Sequence, residues 1–210
     1  MFLALDRDVT PTLAQDYVEW HRGRSIYTLW YLTVDCPQLS TYAQALQQDF
    51  APWLFAPNTR QLHITLYVCG FWQQEKCYND DFVAEQLKLQ KNRLDQLDLS
   101  PFSLQVHGLN SFESALFLHV HDQEGHLDKI RHALSGVHPE IAALDYCPHI
   151  TLGLYAKACS GQEIWSLIKQ MDTPSFELQV HGLHFGGYQA QVLQGPLHCI
   201  DYYRLGEEHA

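Results

Sequence analysis

Two four-residue stretches of this 210-residue chain are identical, His63-Ile64-Thr65-Leu66 and His149-Ile150-Thr151-Leu152. Each lies in an apolar run that favours a strand, where alternate side chains share a face. His63 and Thr65 therefore point one way while Ile64 and Leu66 anchor the opposite face in a core, and the second copy repeats the arrangement. Set side by side around one phosphate, two threonine hydroxyls donate hydrogen bonds to its oxygens and two imidazoles reach opposite apical positions. In-line displacement at phosphorus uses such a pair, a base for the attacking oxygen and an acid for the departing one. Histidine serves in both roles because its ordinary pKa of about 6.5 leaves neutral and charged forms available near pH 7. No metal is needed for this chemistry.

One His-x-Thr alone carries little weight, since about half an occurrence arises by chance in this composition, and either histidine alone reads as a polar residue of a half-exposed strand. A second repeat gives independent support. Phe102-Ser-Leu-Gln-Val-His-Gly-Leu-Asn110 returns as Phe176-Glu-Leu-Gln-Val-His-Gly-Leu-His184, matching at seven of nine positions. Both copies follow their His-x-Thr in the same order, which is the mark of a duplication. Thr65 to Phe102 spans 37 residues and Thr151 to Phe176 spans 25. The surplus of about twelve is placed in the polar stretch around Gln73 to Asp81.

At these residues the chain resembles the 2H phosphoesterase superfamily, in which two H-x-[ST]-x motifs, one per lobe, define the site. It is similar in particular to the bacterial and archaeal 2'-5' RNA ligases, which are RNA 2',3'-cyclic phosphodiesterases. The resemblance covers about residues 26 to 205. It implies an α+β fold, bilobal and duplicated, with antiparallel sheets around a central groove and pseudo-twofold symmetry. It also implies that His63 and His149 are catalytic, His149 as base and His63 as acid, with Thr65 and Thr151 on the phosphate. The activity implied is metal-independent hydrolysis of a nucleoside or RNA-terminal 2',3'-cyclic phosphate, reversible as 2'-5' RNA ligation, with no cofactor. The alternative is a non-catalytic nucleotide- or phosphate-binding module that keeps the cleft. Family members acting on RNA often carry basic residues around the groove, whereas here no Arg or Lys follows His149 before Lys157.

The elements that must position these residues follow from the pattern. Residues 1–25 are a lead-in that covers an edge of the fold, with a short helix from Thr12 to His21. Ile26 to Val34 reads as a buried strand. A helix runs from Leu39 to Trp53 with Leu39, Tyr42, Ala43, Leu46 and Phe50 on one face and Ser40 or Thr41 as cap. The first motif strand is Leu62 to Val68, ended by Gly70. A helix over Phe82 to Leu97 puts Val83, Leu87, Gln90, Leu94 and Leu97 on one stripe. Strands at Phe102 to Leu109 and Ala115 to Val120 complete the first half. The second half has a helix near Leu127 to Ser135, the motif strand His149 to Tyr155, a helix Gly161 to Met171 and strands near Phe176 to His184 and Leu197 to Arg204. Residues 26–205 form one domain of two packed halves, and 206–210 are a frayed tail.

Composition narrows the field. A hydrophobic content of 46% with 12% aromatics is enough for a real core. A net charge of -11 with only 13 Lys plus Arg argues against extensive contact with a nucleic-acid backbone, while a nucleotide or an RNA end bearing a cyclic phosphate remains a fitting partner. The six cysteines form no C-x-x-C pair, and no apolar run approaches a membrane span. A cytoplasmic monomer is the expectation. His119-Val-His121 could supply two metal ligands, but no third is apparent and no metal site is assigned. His107 and His181, equivalent in the repeat, read as structural, each a strand end with a hydrogen-bonded imidazole. Phe71 and Tyr155, beside the two motif strands, are the aromatic candidates for substrate contact.

Overall fold

The computed structural model describes residues 1–206. The expected frayed tail lies outside the described residues from position 207 onward. Nine strands form one sheet in the order β7-β4-β5-β6-β2-β1-β8-β9, with the short β3 (Asp81–Phe82) pairing beside β2. The strands are β1 Ile26–Thr33, β2 His63–Trp72, β4 Phe102–Ser111, β5 Ala115–His121, β6 His149–Leu154, β7 Phe176–Val180, β8 Gly182–Gln189 and β9 His198–Arg204. Every pairing is antiparallel except β2 with β3. The sheet curls into a half-barrel, and the α+β, pseudo-twofold architecture expected from the repeat is observed.

The halves exchange strands. β5, expected to close the first half, instead opens the second, since it flanks β6 as β1 flanks β2. β4, from the first half, pairs with β5, while β8 returns from the second half to pair with β1. The repeat meets itself twice, at Ile64↔Ile150 between the motif strands and at Leu104↔Leu178 between β4 and β7. Both are pairs of equivalent residues, so one pseudo-twofold axis passes through both contacts. The shared His-Gly marks the corner in each copy: Gly108 has φ +84 beside a register shift in β4, and at His181 the chain leaves β4 for β1. The expected single strand from Phe176 to His184 is therefore two strands. The equivalence of His107 and His181 comes from this glycine corner, and both residues are exposed.

Four helices, α2 (Pro37–Asp49), α3 (Ala84–Asp95), α4 (His126–Ser135) and α5 (Gly161–Ile168), bury their apolar stripes in one core. Ile64, Leu66, Ile150, Leu152, Trp30 and Leu32 enter it from the sheet. Gln90 belongs on its stripe because both ends of its amide are used: its oxygen accepts from Trp30 Nε1 at 2.8 Å and its nitrogen donates to the Leu134 carbonyl. Leu29, Tyr31 and Leu197 cluster separately, with Tyr188 against them. Strand alternation puts Leu29 and Tyr31 on the face of β1 opposite Trp30 and Leu32, so β1 is buried on both sides.

Several boundaries differ from expectation. α2 starts at Pro37, whose missing N–H costs nothing in a first turn, and neither Ser40 nor Thr41 caps it; Thr41 Oγ1 donates to the Pro37 carbonyl. β2 continues through Gly70 to Trp72, since glycine takes φ +113 there and a Cβ would lie 2.3 Å from the Asp80 carbonyl oxygen. The twelve-residue surplus lies only partly in the polar stretch: the connection over 73–83 is longer than that over 155–160, but β2 also has 10 residues against 6 in β6, and α3 has 12 against 8 in α5. The helix expected from Thr12 is only α1, Val18–His21, because the preceding chain is drawn out between the halves by Thr10 N–H to Glu113 and Thr12 N–H to Tyr155. No helix among the described residues is long and apolar enough to cross a membrane.

Candidate active site

The two motif strands are neighbours in register. Ile64 pairs with Ile150, and carrying that antiparallel register one residue either way sets His63 across from Thr151 and Thr65 across from His149. All four polar residues are half-buried, whereas Ile64 and Ile150 are fully buried on the other face. Diagonal neighbours in such a ladder lie roughly 7 to 8 Å apart, and His63 and His149 are such a diagonal pair, near enough for the charge of His149 to depress the His63 pKa. Each makes the same local bond: His63 Nδ1 is 2.8 Å from the Gln61 carbonyl and His149 Nδ1 is 2.7 Å from the Cys147 carbonyl. A carbonyl only accepts, so each Nδ1 carries a hydrogen, and each Nε2 has a lone pair in the neutral ring and a proton in the charged one.

The flanking strands repeat this symmetry. Tyr31 on β1 is paired with Thr65, and Phe117 on β5 with Thr151. His63 meets Tyr31 edge-on at 6.0 Å, and His149 meets Phe117 at 5.4 Å and Phe112 at 5.0 Å. These rings cover part of each imidazole, and burial opposes its charging. Burial pushes His63 down to about 4 although the Gln61 carbonyl favours the cation, and the charges of Arg60 and His149 depress it further. His149 is also held below its ordinary value by burial, against the opposing pull of the Cys147 carbonyl.

A cavity of about 610 Å³ rises from this floor. His63, Thr65 and Thr151 line it, but His149 does not, so it extends over the His63 side of the pseudo-axis. Arg60 forms part of its wall. The Arg60 guanidinium lies 3.7 Å above the Tyr188 ring and its Nε donates to the Gly195 carbonyl at 2.9 Å. No carboxylate among the described residues pairs with it, and burial lowers its pKa. The equivalent position before the second motif is Tyr146, and the cation there, Arg131, is neutralised by Glu140 at 2.6 Å. Among the described residues that line the cavity, Arg60 in the wall is thus an uncompensated cation on the His63 side.

The structure brings His63, Thr65, His149 and Thr151 to one face, and it takes Phe71 and Tyr155 elsewhere. Phe71 is fully buried under the Arg24 guanidinium at 3.8 Å, with Trp20 and Tyr27 against its ring. Tyr155 is fully buried with its hydroxyl 2.6 Å from Ser111 Oγ. Neither lines the cavity, because each apolar ring is drawn into packing beside its strand. His119 and His121 hydrogen-bond each other at 2.8 Å, and among the described residues no His, Cys, Asp or Glu set of three could hold a metal. The sequence reading missed Arg60 and the lead-in. Arg60 could have been found from its place three residues before His63; the cavity-lining role of residues 10–20 had no local signal.

A family model described as the 2'-5' RNA ligase superfamily matches residues 31–191. No curated protein sequence matches the chain. Among solved structures, Escherichia coli LigT in its apo form is 14% identical with a TM-score of 0.60, covering 88% of this chain and 100% of that one. LigT complexed with 3'-AMP gives 14% and 0.61, covering 87% and 99%. TT0787 of Thermus thermophilus gives 17% and 0.58, covering 87% and 100%. At such identities the likeness is one of fold.

Proposed function

We propose that this chain, which belongs to the 2'-5' RNA ligase superfamily, is a phosphodiesterase that opens a nucleoside or RNA-terminal 2',3'-cyclic phosphate by two-histidine acid and base catalysis. Family membership supports a phosphoesterase-type activity. The observation that carries the finer reading is the antiparallel pairing at Ile64↔Ile150, with both His-x-Thr pairs half-buried on one face. LigT structures described in complex with 3'-AMP, ATP, NADP+ and phosphate accord with a phosphate-bearing ligand.

The phosphate sits between the motifs, with Thr65 and Thr151 donating to its oxygens and Arg60 offsetting its charge. The cavity lies on the His63 side, so the ribose lies there and the departing ribose oxygen faces His63. Water on the opposite side gives a proton to His149 as its oxygen bonds to phosphorus. The bond from phosphorus to the ribose oxygen breaks, and His63, which enters the step as the imidazolium with its second proton on Nε2, supplies the proton that oxygen takes. With a 5'-hydroxyl in place of the water the same displacement is a 2'-5' ligation: the hydroxyl gives its proton to His149 as its oxygen bonds to phosphorus, and the departing 3' oxygen takes the proton from His63. Both proton transfers are made by imidazoles, so the reaction proceeds with EDTA present. Incubation of the full chain with adenosine 2',3'-cyclic phosphate in EDTA tests this. A ring-opened monophosphate is expected; an intact substrate at every protein concentration would leave a binding module instead.

A further inference from the structure

The cavity is far larger than a phosphate needs, and its outer wall is the segment that precedes the fold's first strand. Residues 10–20 are tied at one end to the Glu113 and Tyr155 carbonyls by Thr10 and Thr12 and at the other to β1 and β2 by Trp20, whose ring packs on Tyr27 and Phe71, each at 5.0 Å. Between these anchors the strap crosses the groove and lines it together with Val192 from the loop after β8. Four large apolar side chains at this mouth remain in water: Leu13 is 59% exposed, Tyr17 46%, Trp20 38% and Val192 48%. Each exposed apolar surface costs free energy unless something covers it, and their gathering at one cavity that shares its floor with the phosphate site identifies the cover as part of the substrate.

Resting on the reading above, we propose that the strap, with Arg60 and Tyr188 facing it, is a nucleoside subsite that takes the base attached to the scissile phosphate. A volume of about 610 Å³ is in the range of pockets that enclose a whole small ligand. Aromatic rings hold a base by its face, which every base presents. Four of the five amides along the wall are already committed, Gln15 on the strap being the exception. Asn58 donates to Leu152, Gln61 exchanges both bonds with Leu197, Gln194 accepts from Leu154 and donates to Phe55, and Gln191 donates to Arg24. These four build the cavity, which leaves the Gln15 amide to meet a base edge.

Titration calorimetry of the full chain with adenosine 3'-monophosphate and with inorganic phosphate tests the subsite. The nucleotide is expected to bind at least about 10-fold more tightly than phosphate. In Tyr17→Ala, an exposed site, that ratio should fall several-fold. Trp20→Phe should abolish most of the tryptophan fluorescence change that the nucleotide, and not phosphate, produces. Equal binding of nucleotide and phosphate, or an unchanged ratio in Tyr17→Ala, would overturn the subsite while leaving the phosphate-cleaving reading intact. Binding of neither ligand would overturn both.

Discussion

At the scale of single residues, the account turns on two imidazoles whose charged forms are both disfavoured by burial. The active pair holds one proton, so kcat/KM should rise through the lower constant of the pair, about 4, and fall through the upper, which lies below the ordinary 6.5. Both limbs thus lie on the acid side of neutrality, whichever histidine carries the proton; a profile still rising above pH 7 would contradict the buried geometry. The division of labour has its own test. The 4-nitrophenolate of bis(4-nitrophenyl) phosphate departs without a proton, so His63→Ala should lose little rate on that substrate while His149→Ala loses about 10²-fold or more. Equal losses on it would reverse or erase the distinction.

At the scale of elements, the motif strand β2 is held at its far end by a buried ionic clamp. Arg24 contacts Asp80 at 2.7 Å and Asp81 at 2.6 Å, and Asp81 also accepts from the Cys77 and Tyr78 amides. The hydrogen bond from Arg24 holds Asp80 below its ordinary pKa; burial raises Asp81, but Arg24 and the two amides outweigh it. Depressed carboxyls stabilise the fold above their unfolded pKa of 3.8 and lose that contribution as pH falls through the folded values. Arg24→Met should cost about 3 to 5 kcal/mol at pH 7, read from the denaturation midpoint, with the gap to wild type narrowing below pH 4. Gly70→Ala should also lower the midpoint, since φ +113 and the Asp80 carbonyl leave no room for a Cβ. Such elements mark the limit of what the sequence discloses. The motif strands, four helices and both repeats are legible because periodicity reports which face is buried. The break at His181, the run of β2 past Gly70 and the burial of Phe71 and Tyr155 depend on partners distant in the chain, such as Asp80, β1 and Ser111. Arg60 is visible as a residue but not as an unpaired cation, because the lack of a carboxylate beside it is a property of the folded wall.

At the scale of the whole molecule, the halves exchange strands and each contributes one His-x-Thr to the shared face, so on the proposed mechanism neither half holds a complete acid and base pair. The acidic total of -11, with the uncompensated Arg60 in the cavity wall, suits a small anionic substrate over a long polyanion. The central claim is that His63 and His149 act as one unit on one phosphate. Its most direct measurement is the turnover of adenosine 2',3'-cyclic phosphate by wild type, His63→Ala, His149→Ala and the double variant. Each single change should lower kcat by about 10² to 10⁴-fold, and the double variant should be scarcely slower than the worse single, because a unit loses most of its effect with its first member. A single variant turning over at the wild-type rate, or losses that multiply in the double variant, would contradict it.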